Sequence, residues 1–127
     1  MIAVDSSALI EVIAKQRRAA ECADALLSDD LILSAATLAE SYIVAMRKQA
    51  TDELTRLLAV VSPDIEPVTA AFALDAVAAY RRWGKGFHPA ELNYGDCFSY
   101  AVAKTHDCPL LYVGEDFAKT DVVSALG

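Results

Sequence analysis

Asp5, Glu40, Asp96 and Asp116 stand at the junctions between apolar runs and helical patterns in this 127-residue chain. Ile2-Ala3-Val4 is a short apolar run that Asp5 ends, and Leu31-Ile32-Leu33 is a second run whose following helix carries Glu40. From Asn93 onward, apolar or small residues at 97, 98, 101 and 102 repeat with helical spacing, which places Asp96 in the first turn. Pro109-Leu110-Leu111-Tyr112-Val113 is a buried strand that stops at Gly114, Glu115 and Asp116. An open parallel sheet binds ligands at the carboxyl ends of its strands, and all four acids fall at that edge. Four anions there repel one another unless a cation neutralises them or some take up protons. Carboxylates without histidine or thiolate partners are hard oxygen ligands that select Mg²⁺ or Mn²⁺ over zinc. Such a site suits metal-assisted hydrolysis of a phosphodiester.

Each acid also has a local explanation. Asp5 and Asp116 fit helix N-caps, Glu40 closes a capping box with Thr37, and Asp96 stands three residues after Asn93 in the same arrangement. Their joint placement favours the cation. Glu115 and Asp121 add two more acids beside Asp116. His88 precedes a proline and His106 ends a helix, and neither has the spacing of a zinc ligand or an evident nucleophile beside it. The segment Arg81-Arg82-Trp83-Gly84-Lys85-Gly86-Phe87-His88 places Arg81, Arg82, Lys85 and His88 within eight residues, a basic rim for a polyanionic substrate. Read structurally, the same segment is a helix end whose arginines suit the dipole.

The elements that position these groups alternate between strands and helical hairpins. Ser6 or Ser7 is expected to cap a first helix carrying Leu9, Ile10, Val12 and Ile13, apolar nearly all round and therefore covered on its outer side by the domain or by a partner. Ala19 to Leu27 forms a second helix. Thr37 is expected to open a third, with Leu38, Tyr42, Ala45 and Met46 facing inward. Leu54, Leu57, Leu58 and Val61 make a fourth, and Ile65-Glu66-Pro67-Val68 an edge strand, since proline is poorly tolerated in a central one. Thr69 caps a long helix through Phe72, Ala76 and Tyr80. Repetition of this kind predicts one α/β domain over residues 1–127, a three-layer α/β/α sandwich around a parallel sheet of about four to five strands.

Composition narrows the class. A net charge of −7 argues against a broad basic surface for nucleic acid but not against a local rim. Cys22, Cys97 and Cys108 are odd in number and share no metal-binding or redox spacing, so they are expected as reduced thiols of a cytoplasmic protein. The start reads as no signal peptide and no run approaches a membrane span.

With these residues assembled, the sequence resembles the PIN-domain family, and within it the VapC toxins of bacterial toxin-antitoxin pairs. The resemblance spans essentially the whole chain. It is carried by Asp5-Ser6-Ser7-Ala8-Leu9, Ser34-Ala35-Ala36-Thr37-Leu38-Ala39-Glu40, Asn93-Tyr94-Gly95-Asp96-Cys97-Phe98-Ser99-Tyr100-Ala101 and Leu110-Leu111-Tyr112-Val113-Gly114-Glu115-Asp116-Phe117. It implies a Mg²⁺- or Mn²⁺-dependent endoribonuclease, usually a homodimer, held inactive by a cognate antitoxin, with transfer RNA as the suggested substrate. Asp5, Glu40, Asp96 and Asp116 match the family's acidic quartet; the acid directly before Phe117 is preferred over Glu115 on that motif. Ser6 stands where the family often has threonine and is expected to orient a carboxylate or a water, or to serve as a plain cap. Asn93 is expected to support Asp96, and Tyr94 replaces a common phenylalanine.

Three other readings compete. A response-regulator receiver would need an aspartate after the third strand, where the chain has Glu66-Pro67. A haloacid-dehalogenase-type phosphatase would need a second aspartate at position 7, which is serine. The serious alternative is a degenerate PIN-like domain that binds protein or RNA without catalysis.

Overall fold

The computed structural model describes residues 1–127. In chain order the elements are β1 (Ile2–Val4), α1 (Ser6–Ile13), α2 (Ala19–Leu26), β2 (Leu31–Ser34), α3 (Ala35–Arg47), α4 (Thr51–Val61), β3 (Asp64–Glu66), α5 (Ala70–Trp83), α6 (Tyr94–Thr105) and β4 (Leu110–Leu111), followed by a 3₁₀ turn at Phe117–Lys119. The four strands pair in the order β3-β2-β1-β4, all parallel. A single bridge from Leu110 to Ser124 extends the β4 edge.

Alternation along the strands builds the two cores, because successive side chains of a strand point to opposite faces. Ala3, Ile32 and Leu110 join Phe72, Ala76, Trp83, Phe98 and Val102 of α5 and α6 on one face. Ile2, Val4, Leu31, Leu33 and Leu111 join Leu9, Cys22, Leu26 and Leu54 of α1, α2 and α4 on the other. This is the three-layer sandwich, with four named strands. Leaving β1, the chain builds outward to β2 and β3 and then crosses to β4 on the opposite side, so the order reverses between β1 and β4. Asp5 follows one of these strands and Asp116 the other, at the topological switch point where such sheets bind ligands.

Several local expectations are corrected. The cap of α1 is Asp5, whose side chain accepts the Ser7 N–H at 3.1 Å, rather than either serine. Helix α3 begins at Ala35, two residues before Thr37, because the Ser34 hydroxyl caps it by accepting the Ala36 N–H at 3.0 Å. Its most deeply buried stripe is Thr37, Ser41 and Ala45; Leu38 and Tyr42 are partly buried, and Met46 is 64 % exposed. Strand β3 stops at Glu66, since Pro67 has no N–H to continue the ladder. The apolar residues of α1 are covered by the domain itself: Leu9 is buried and Ile10, Val12 and Ile13 are half-buried against the core shared with α2 and α4. The outward apolar surface of this layer lies instead between α2 and α4, where Leu27 and Val60 are exposed beside a groove of about 220 Å³.

Candidate metal centre at the sheet edge

Asp5 leaves β1 only 3 % exposed and has both carboxylate oxygens engaged. Oδ2 accepts the Ser7 N–H, and Oδ1 accepts the Ser99 hydroxyl at 2.5 Å. Ser99 has spent its one proton on Asp5, so at 3.2 Å it is Thr37 that donates to Ser99. Thr37 and Ser99 are themselves 1 % exposed, so two helices hold Asp5 through a buried relay.

Asp96 sits at the third position of α6, and a reciprocal capping box fixes it. The Asp96 N–H donates to the Asn93 side chain at 2.9 Å and the Asn93 N–H donates to Asp96 Oδ2 at 3.1 Å. A helix N-terminus favours a negative charge, yet burial outweighs this. Desolvation pushes the Asp96 carboxyl up to about 7; the Asn93 N–H works against it, and the charges of Asp5, Asp116 and Glu40 add to it.

Glu40, on α3, accepts the Ser6 hydroxyl at 2.9 Å. Burial raises its carboxyl above the usual range, the Ser6 hydrogen bond opposes the rise, and the Asp5 charge reinforces it. Glu40 lies directly over Gly95: a Cβ placed there would stand 2.8 Å from the Glu40 carboxyl carbon. The glycine is thus the gap through which a carboxylate of one helix reaches the first turn of another.

Asp116 is exposed, in the turn after β4. The chain reaches it through a Val113 N–H donated to the Ser7 hydroxyl at 3.0 Å and a left-handed Gly114 at φ +110°. The first ties β4 to the start of α1; the second is a conformation that glycine adopts without strain.

None of the four carboxylates takes part in an ion pair, whereas Asp29 and Asp121 on the surface both do. No three His, Cys, Asp or Glu side chains stand close enough together to hold a metal ion between them. The donor set nevertheless fits a hard divalent cation with open positions: carboxylates only, mutually repelling, each oriented by a hydroxyl or backbone donor or left free.

The remaining candidates separate by their partners. Asp121 accepts the Tyr100 hydroxyl at 2.7 Å and meets Lys104 at 3.3 Å and Arg82 at 3.6 Å. Burial works against its ionisation, but these donors prevail and hold its carboxyl below the usual range. It is a clamp on the C-terminal segment. Arg82 also lies over the Trp83 ring at 4.5 Å. His88 packs edge-on against Trp83 at 4.7 Å and its Nδ1 accepts the Ala90 N–H, so it shapes the loop. His106 contacts Glu66 at 3.3 Å. Arg81 and Lys85 form no ion pair and line a groove that also includes Asn93. The supporting residues that the sequence reading passed over are Thr37 as a buried relay, Ser99 and Gly95. Ser99 stands one helical turn beyond Asp96, and that spacing was the available signal.

Residues 2–123 match the family model described as PIN domain. Among curated relatives, Ribonuclease VapC28 of Mycobacterium tuberculosis is 44 % identical, covering 97 % of this chain and 96 % of its own. Ribonuclease VapC of Mycolicibacterium smegmatis is 40 % identical, with 95 % and 97 % covered. The fold is shared with the crystal structure of Mycobacterium tuberculosis VapC20, described as a sarcin-ricin loop cleaving toxin, at a TM-score of 0.77, 20 % identity and 97 % coverage of both chains. It is shared also with a toxin-antitoxin complex from Klebsiella pneumoniae at a TM-score of 0.75, 21 % identity and coverage of 100 % and 98 %. By the family model and by these curated relatives, the chain belongs to the PIN-domain family, among the VapC proteins.

Proposed function

We propose that the chain is a Mg²⁺- or Mn²⁺-dependent endoribonuclease, the toxin of a toxin-antitoxin pair. The observation that supports this reading is that burial pushes the Asp96 carboxyl up to about 7 while the charges of Asp5, Asp116 and Glu40 add to the rise, with no cation of the protein's own paired to any of the four. These four would hold the ion, which supplies Lewis acidity and charge neutralisation at an RNA phosphodiester. The chain's own residues arrange the site. Ser99 and Ser7 fix the rotamer of Asp5, Ser6 orients Glu40, and Asn93 holds Asp96 while its N–H opposes protonation. Arg81 and Lys85 supply the positive charge that an acidic protein needs to draw a polyanion to this edge.

The relatives' names support the ribonuclease reading, and the neighbouring toxin-antitoxin complex supports an antitoxin partner. The apolar groove between α2 and α4, with Leu27 and Val60 exposed, suits the apolar face of an antitoxin helix. Transfer RNA as substrate, a homodimer and a cytoplasmic site of action are retained as parts of the same proposal. No helix is long and apolar enough to cross a membrane.

The test is to express the protein without its partner and sequence the RNA ends that appear, for wild type beside Asp5→Asn. New ends at defined positions, lost in the variant, are expected. Purified protein that leaves RNA intact in Mg²⁺ and Mn²⁺, and binds Mn²⁺ no better than a surface acid pair, would instead make the chain a non-catalytic binding module.

A further inference from the structure

A groove of about 860 Å³ lies between α5, α6 and the loop at residues 84–88. Its floor is apolar, formed by Ala76 and Val77 of α5 and by Phe98 of α6. Two aromatic rings stand at its mouth largely in water: Phe87 is 64 % exposed and Tyr94 is 77 % exposed. Each is held by an edge contact that leaves much of its ring uncovered, Phe87 against Tyr80 at 5.9 Å and Tyr94 against Phe98 at 5.0 Å. Rings so exposed add little to the core, and a contiguous apolar patch of this kind marks a binding surface. The rim carries Arg81 and Lys85, both without a carboxylate partner. The lining also includes Asn93, whose side chain caps the helix bearing Asp96. An occupant of the groove therefore reaches the residue that caps the helix bearing Asp96.

Exposed aromatic faces next to unpaired cations are the combination that receives unpaired nucleotides: bases stack on the rings and the cations meet the phosphates.

We propose that this groove is a nucleobase subsite, in which one unpaired base next to the scissile phosphate stacks on Tyr94 and Phe87 while Arg81 and Lys85 hold the flanking phosphates. This rests on the ribonuclease reading and adds to it a requirement: the RNA must be single-stranded, or have its base turned out, at the cleavage point. Tyr94 opens α6 and stands two residues before Asp96, so a base seated there lies at the helix end that carries Asp96, although the two side chains leave the helix in different directions.

The probe is a mixed-sequence single-stranded oligoribonucleotide of about twelve residues carrying 2-aminopurine, measured in Ca²⁺, which takes the same oxygen ligands. Anisotropy reports its affinity and fluorescence quenching reports stacking. Wild type is expected to bind and quench. Tyr94→Ala and Phe87→Ala should each weaken binding by at least about fivefold and relieve the quenching, as loss of one stacked base does. Tyr94→Phe, which keeps the ring, should stay within about twofold, and Arg81→Gln should flatten the salt dependence by about one phosphate. Both aromatic positions are exposed, so the variants are expected to melt with the wild type. Alanine variants that bind and quench as wild type does would overturn the subsite, even while wild type continues to cleave cellular RNA. Alanine variants that instead lose self-association with RNA affinity unchanged would overturn it in favour of a contact between copies. A wild type that neither binds the oligonucleotide nor cleaves RNA would remove the subsite and the ribonuclease reading together.

Discussion

Replacing Asp96 with asparagine separates a metal ligand from a mere helix cap. The asparagine oxygen still accepts the Asn93 N–H that now reaches Oδ2 at 3.1 Å, so the capping geometry survives and only the charge is lost. In the metal-free protein that charge is unwelcome, since Asp96 keeps its proton up to about 7 when folded against an ordinary value of 3.8. Unscreened, that displacement corresponds to roughly 4 kcal/mol at about 1.4 kcal/mol per pH unit. Solvent reaches the partly buried carboxyl, and screening reduces the expected difference to about 1–2 kcal/mol. The native state binds the extra proton between the two values, so the wild type loses stability as pH rises from about 4 to about 7. The variant lacks this loss. In chelator at about pH 8 the variant should therefore melt about 3–8 °C higher than wild type, an advantage that disappears below about pH 4. In Mg²⁺ its RNA cleavage should fall by orders of magnitude. If the variant melts lower in chelator and cleaves at the wild-type rate, Asp96 is a cap and nothing more, and the quartet loses its central member.

Saturating Mn²⁺ at neutral pH should raise the melting temperature by mass action, and the rise should shrink as pH falls, because the proton competes for Asp96 and Glu40, whose carboxyls burial has raised; differential scanning fluorimetry across a Mn²⁺ series measures it. Gly95→Ala should hold or slightly raise stability, since alanine suits a helix better, yet lower cleavage at least about tenfold because its Cβ displaces the Glu40 carboxylate. Ser99→Ala leaves the buried Asp5 short of one donor and Thr37 without its acceptor, which should cost about 1–3 kcal/mol in a denaturant titration. Activity should fall as well. Co-expression with the neighbouring reading frame should yield a small co-purifying chain, and Leu27→Glu or Val60→Glu should release it without altering RNA cleavage by the free protein.

What the sequence determined by itself is whatever local spacing controls. The strand runs, the turn at Gly114 and the Asn93–Asp96 box are legible because the interacting groups lie within a few residues of one another. The expectation that four acids share one edge comes from the strand-helix alternation, since Asp5 follows β1, Asp116 lies in the turn after β4, Asp96 stands in the first turn of α6 and Glu40 in the second turn of α3. Local spacing also misled where two local solutions compete. Thr37 and Glu40 fit a capping box, but Ser34 caps α3 first and turns Thr37 inward to Ser99. The remaining decisions rest on partners that sequence distance hides. Ser99 reaches Asp5 across 94 residues, and Ser6 reaches Glu40 across 34. Among acids of the same type, Asp121 is neutralised by Tyr100, Lys104 and Arg82 while Asp116 is left without a cation, a distinction that exists only once α6 packs beside the C-terminal segment. The same packing ties Arg82 to Asp121 and leaves Arg81 and Lys85 at the groove. A side chain's chemistry is written in the chain, but its protonation, its rotamer and its freedom to bind depend on which groups desolvate it and which donors reach it, and those are set when distant elements meet.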